Sequence, residues 1–196
     1  MKKALVICIM LSVACFINIT YAAPVYYTAT LTGPSEDPPN ASPGVGSADF
    51  WIDSVTHELF IDAMFSGLIG TTTAAHIHAP TAISGMGNAA AATQTPSFDG
   101  FPAGVTSGTY FHTFDTSLAS SFNPAFINAN GGTPATAEAA LFAAISDGKA
   151  YLNIHTSLYP GGEIRGFLTP MAVPEPATVL LLGLGLMGLA RVRRKM

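Results

Sequence analysis

Between residues 25 and 169 the chain is a succession of short segments rich in β-branched and aromatic residues: VYYTATLT, SADFWID, ELFIDAMF, AAHIHA, SGTYFHTF, AYLNIHT and EIRGFLT. Gly, Pro, Asn and Ser clusters such as GPSEDPPNASPG and TQTPSFDGFPAG separate them. Short strands punctuated by turn signals, with no βαβ or helical-bundle pattern, predict an all-β domain, an antiparallel Greek-key or immunoglobulin-like sandwich or barrel. One helix interrupts it. In TPATAEAALFAAISDG, Thr133 or Thr136 supplies the cap, Pro134 falls in the first turn and Gly148 follows Asp147 as the stop. Leu141, Phe142 and Ile145 are predicted to pack this helix on the sheet. NPAFINAN reads as a further short turn of helix, and the stretch from His78 to Ser107 as a long loop, a length often tied to function or mobility.

The two ends follow a different pattern. The first 23 residues join Lys2 and Lys3 to an apolar run that ends in small residues, the layout of a secretory signal peptide cut after Ala22 or Ala23 and delivered by the Sec machinery. Residues 171–196 carry Pro174, Glu175 and Pro176, then an apolar run from Ala177 to Ala190, then Arg191, Arg193, Arg194 and Lys195. The run is marginal for a full bilayer crossing, and the basic cluster would hold its end in the cytoplasm. This segment closely resembles the PEP-CTERM sorting signal of Gram-negative bacteria. The resemblance implies an exosortase as processing partner, a transient inner-membrane anchor through the C-terminal helix, and a final place at the cell surface or outside the cell. The domain proper is then 24–170.

Removing the ends changes the charge. The remaining domain keeps eleven acidic residues and only two basic ones, Lys149 and Arg165, a net charge near −9. Such a surface repels phosphate backbones and argues against nucleic acid as a partner. Both cysteines, Cys8 and Cys15, lie in the signal segment, so neither disulfide nor thiolate chemistry is available to the domain and a packed core must stabilise it.

Alternation then locates the candidate chemistry. In TAAHIHAP, His76 and His78 share one face of a strand, with Ala75 and Ile77 on the other. In AYLNIHT, Tyr151, Asn153 and His155 share a face, and in EIRGFL, Glu163, Arg165 and Phe167 do. A hairpin through TSLYPGG places His155 opposite Glu163, Asn153 opposite Arg165 and Tyr151 opposite Phe167, with both apolar faces turned inward. If AAHIHA neighbours this hairpin, His76 or His78 comes within side-chain reach of His155 or Glu163. His57 reads as a solvated residue of a hairpin turn, and His112 as a core or surface residue beside Tyr110 and Phe114. No GxSxG elbow frames a serine nucleophile, and no catalytic residue is assigned.

The paired motifs AAHIHA and DGKAYLNIHTSLYPGGEIRGFL, with the opening TATLTGPSEDPP and GVGSADFWID, closely resemble the CHRD domain, first described in chordin, over nearly the whole of residues 25–169. The resemblance implies an all-β, immunoglobulin-like or barrel-like fold and attaches no firm activity. Pro80 stands where relatives commonly carry glycine.

Two readings of the histidines stay open. In the first, a non-catalytic binding or structural module with no cofactor, His76, His78, His155, Glu163, Asn153 and Arg165 form a polar cluster that pins strands together, with Arg165 close to Glu163 and disfavouring a cation. In the second, His76, His78, His155 and Glu163 bind copper or zinc, with or without superoxide-directed redox activity. A His-x-His pair on a Greek-key barrel resembles the copper site of copper/zinc superoxide dismutases, whose further histidines have no clear counterparts here. Arg165 or Asn153 inserted among the rings would favour the first reading.

Overall fold

The computed structural model describes residues 23–171. The signal segment and the residues of the sorting signal beyond Met171 lie outside the described residues. Eight strands form one antiparallel sheet curled into a half-barrel: β1 (Val25–Thr32), β2 (Val45–Asp53), β3 (Glu58–Ser66), β4 (Thr72–His78), β5 (Gly108–Asp115), β6 (Tyr151–Thr156), β7 (Ile164–Phe167) and β8 (Thr169–Pro170). The order is β4-β6-β7-β1-β2-β3-β5, with β8 also paired to β1. The all-β expectation holds, and a curled single sheet is the form it takes.

Alternation decides which side is core. Tyr27, Ala29 and Leu31 of β1 and Leu59, Ile61, Ala63 and Phe65 of β3 are buried at every second position. Helix α2 (Pro134–Ser146) closes the core with Leu141 and Ile145, both fully buried, while the shorter α1 is Pro124–Ala129. Thr133 is the α2 cap, and Thr136 completes a reciprocal capping box with it. Gly148, at φ +67°, ends the helix in a conformation that suits glycine. Burial on the inner face, together with this helix, supplies the hydrophobic stabilisation a domain without disulfides needs.

The β6–β7 pairing has the predicted register, Tyr151 opposite Phe167 and Asn153 opposite Arg165. Strand β4 joins the other edge of β6, with His76 opposite Asn153 and His78 opposite Tyr151. Every residue of β6 is buried, on both faces. The reason lies in the loops. The loop 79–107 folds back along β4, and its Ala92 and Phe98 N–H groups donate to the Ile77 and Ala75 carbonyls at 2.9 and 3.1 Å. Thr93 and Ser97 hydroxyls accept from the Ile77 and Ala75 N–H groups. This sheathes an otherwise open sheet edge and roofs the polar face of β6.

Two outer histidines are also placed. His57, at the β2–β3 turn with φ 60°, is half exposed but reaches Glu138 of α2 at 3.0 Å, where Thr116 also donates. It is thus an anchor between turn and helix rather than a freely solvated side chain. His112 packs against Phe114, ring centroids 4.4 Å apart, and Tyr110.

Candidate metal centre

Strands β4 and β6 bring His76, His78 and His155 together beneath the 79–107 loop. One ring nitrogen from each lies within 4.8 Å of the others, the only such group of three or more potential ligands among the described residues. His76 and His155 are buried, His78 half-buried. Their ring centroids are 5.2–5.6 Å apart.

The hydrogen bonds fix the chemistry of each ring. His76 Nε2 donates to the Pro96 carbonyl at 2.8 Å, His78 Nδ1 to Ala89 at 2.9 Å and His155 Nδ1 to Pro160 at 3.0 Å. A carbonyl only accepts, so each of these nitrogens carries a proton, and in a neutral imidazole the other nitrogen is a bare lone pair. Burial favours the neutral form. It pushes the His78 pKa down to about 4, against the Ala89 bond, and lowers His76 and His155 as well. The three lone pairs are therefore His76 Nδ1, His78 Nε2 and His155 Nε2. His76 Nδ1 is buried with no hydrogen-bond partner, and the other two stand 3.2 Å apart.

Three orphaned acceptors facing one another repel, whereas a metal ion between them is ligated by all three. Backbone carbonyls that hold the far nitrogens of each ring are the arrangement that orients imidazole ligands. Two nitrogens on one ion at about 2.0–2.1 Å cannot be more than about 4.2 Å apart, so rings at the 4.8 Å limit must swing slightly inward to close on it.

The other predicted site residues lie elsewhere. Glu163 does not join the histidines. Its fully buried carboxylate accepts from Ser42 Oγ at 2.6 Å, Thr156 Oγ1 at 2.7 Å and the Ile69 and Gly70 N–H groups at 2.6 and 3.0 Å. Burial raises its pKa, but these four bonds outweigh that and hold it below the usual carboxylate value. The cause of the displacement is local. Gly162, at φ +131°, precedes Glu163, and β7 begins only at Ile164, so the carboxylate turns to Thr156 rather than to His155. A side chain on Gly162 would also meet Asn153 at 2.4 Å.

Arg165 is not beside Glu163 either. Its guanidinium donates to the Ser35 and Gly87 carbonyls and to Asn88 Oδ1, lies 3.8 Å from Glu36 and sits 4.8 Å over the Tyr151 ring. Because β6 runs between β4 and β7, Tyr151 separates Arg165 from His78, on which it stacks at 5.0 Å. Asn153 reaches Glu36 and Gly161, not a histidine. Asn153 stands opposite His76 in the register, yet neither it nor Arg165 makes a hydrogen bond to any of the three rings. Glu36 is the residue the sequence reading passed over. It lies in the GPSEDPP segment, where neither alternation nor ligand spacing marks it.

A family model for the CHRD domain matches residues 27–168, and one for the PEP-CTERM protein-sorting motif matches residues 172–195. Comparison with curated proteins and with solved structures finds no match. The sorting motif implies export, exosortase processing and a surface or extracellular destination. Among the described residues no helix is long and apolar enough to cross a membrane, and the apolar run 177–190 lies beyond them. With the first match spanning most of its length, the chain belongs to the CHRD domain family.

Proposed function

We propose that this protein is an exported, non-catalytic binding module of the cell surface or extracellular matrix, and that what its CHRD domain binds is a transition-metal ion held by His76, His78 and His155. On this reading it crosses the inner membrane through the Sec machinery, is anchored there by the apolar run near its C-terminus, and is released by an exosortase. The observation that carries the metal is the orphaned set of lone pairs: three neutral imidazoles, each tethered through its other nitrogen to a backbone carbonyl, aim bare acceptors at one another. A purely structural cluster would be satisfied by donors among the rings, whereas the Arg165 guanidinium and the Asn153 amide N–H groups donate elsewhere and Asn153 Oδ1 can only accept. Imidazole nitrogen suits zinc and copper and does not suit calcium or magnesium, which take oxygen.

Metal analysis of the purified exported protein tests this. One equivalent of zinc or copper, retained through gel filtration and lost in His76→Ala and His155→Ala, is the expected result. A folded protein that takes up neither ion would remove the reading and return the histidines to a structural role.

A further inference from the structure

The three-histidine site differs from an ordinary zinc site in what it lacks. Its donors are all neutral. Each ring's second nitrogen donates to a neutral carbonyl rather than to a carboxylate, so nothing in the immediate surroundings adds negative charge to the ligands. No fourth His, Cys, Asp or Glu joins the group among the described residues. The one carboxylate that the strand register brings near, Glu163, is held by four donors on the Thr156 side. The nearest cationic side chain across Tyr151 is Arg165, and the site's walls are aromatic: Tyr151 stacked on His78, and Phe98 6.5 Å from His76.

These features select by charge and by coordination number. Zinc in a protein is almost always four-coordinate, and Cu(II) prefers tetragonal surroundings of nitrogen and oxygen. Either dication here would keep its whole double charge in a largely desolvated pocket and would have to recruit an outside ligand. Cu(I), singly charged and content with three nitrogens, needs no charge compensation and no fourth donor. We propose that the ion this site selects is copper in its cuprous state, bound by Nδ1 of His76 and Nε2 of His78 and His155. This rests on the metal reading above and goes further by naming the ion and its oxidation state.

The test measures affinity in both oxidation states. The exported protein is used, because Cys8 and Cys15 of the N-terminal segment would themselves take Cu(I). Cu(I) is titrated anaerobically against bicinchoninate, Cu(II) against nitrilotriacetate and zinc against a chromophoric chelator. One equivalent of Cu(I), bound tighter than Cu(II) by a factor on the order of 100, is expected, the size of one extra unit charge in partly desolvated surroundings. X-ray absorption on the copper-loaded wild-type protein should report three nitrogen neighbours, a readout that needs no variant to fold. His78→Asn, at the half-buried position, should weaken Cu(I) by at least tenfold. Tight zinc with Cu(I) held no better than Cu(II) would overturn the cuprous assignment and leave the metal reading standing. Failure of all three ions would overturn both.

Discussion

Nε2 of His78 and Nε2 of His155 face each other at 3.2 Å, and both are acceptors. Their protons lie on the opposite sides of the rings, on the Ala89 and Pro160 carbonyls. The distance of a hydrogen bond is thus present without a hydrogen to make one, and the pair is a strained contact unless a cation enters.

That arrangement predicts the tautomers. Long-range proton–nitrogen NMR on the metal-free protein should find His76 protonated at Nε2, and His78 and His155 at Nδ1. The His78 ring should stay neutral down to about pH 5, because burial pushes its pKa to about 4, and His76 and His155, lowered by burial too, should titrate below an ordinary imidazole. A ring among the three that titrates near about 6.5 would contradict the geometry.

Glu163 gives a separate outcome for stability and for binding. Removing its carboxylate in Glu163→Ala leaves three buried donors and the part-buried Ile69 N–H without their acceptor, and a loss of about 3 kcal/mol is expected in urea unfolding, with the midpoint moved and the slope kept. Glu163→Gln, which retains one acceptor oxygen, should lose less. The metal content of Glu163→Gln should equal that of the unaltered chain, since Glu163 contacts none of the three histidines. A loss of metal without a loss of fold would return Glu163 to the ligand set.

How far the sequence reached is clearest along β6 and β7. The alternation in AYLNIHT and EIRGFL carries the register, because one slip would turn every buried side chain outward. It also puts His76 and His78 on one face of their strand and His155 on the polar face of β6, but that β4 and β6 are neighbours, a condition in the sequence, is supplied by the fold. The alternation fails at Glu163, where the positive φ of Gly162 breaks the period-2 rule one residue before the strand begins. The carbonyls of Ala89, Pro96 and Pro160 are illegible for a more general reason. A backbone acceptor has no side-chain signature, and only the folded path of the loops aims it. The same holds for Glu36, brought to Arg165 from 129 residues away by the β1–β7 neighbourhood.

The sorting motif makes a prediction about processing. In a host with an exosortase, the protein should lose the segment beyond Pro174–Pro176 and leave the inner membrane. Glu175→Ala, which removes the charge at the centre of the motif, should leave a larger, membrane-retained species on immunoblots of fractionated cells. Equal processing of variant and unaltered chain would separate the motif from the cleavage.

Glu36 sets the dependence of stability on pH. Burial pushes its pKa up to about 7, while Arg165 and Asn153 pull it down less strongly. The native state therefore holds a proton that the unfolded chain, with a carboxyl pKa near about 4.3, releases. Where the native state binds more protons, stability falls as pH rises, here from about 4.3 to 7, and is constant above. His78 acts in the opposite sense. Its native pKa of about 4 lies below the unfolded value, so stability rises with pH through about 4 to 6.5 as the unfolded imidazole loses its proton. The two slopes overlap and oppose each other, which flattens the profile of the unaltered protein. Glu36→Gln removes one of them. The variant should gain on the order of 2–3 kcal/mol relative to the unaltered protein at pH 8, nothing at pH 4, and display the acid-side loss of the histidines without compensation. Thermal unfolding across that range measures it, and parallel profiles for the two proteins would mean that Glu36 is ionised in the fold.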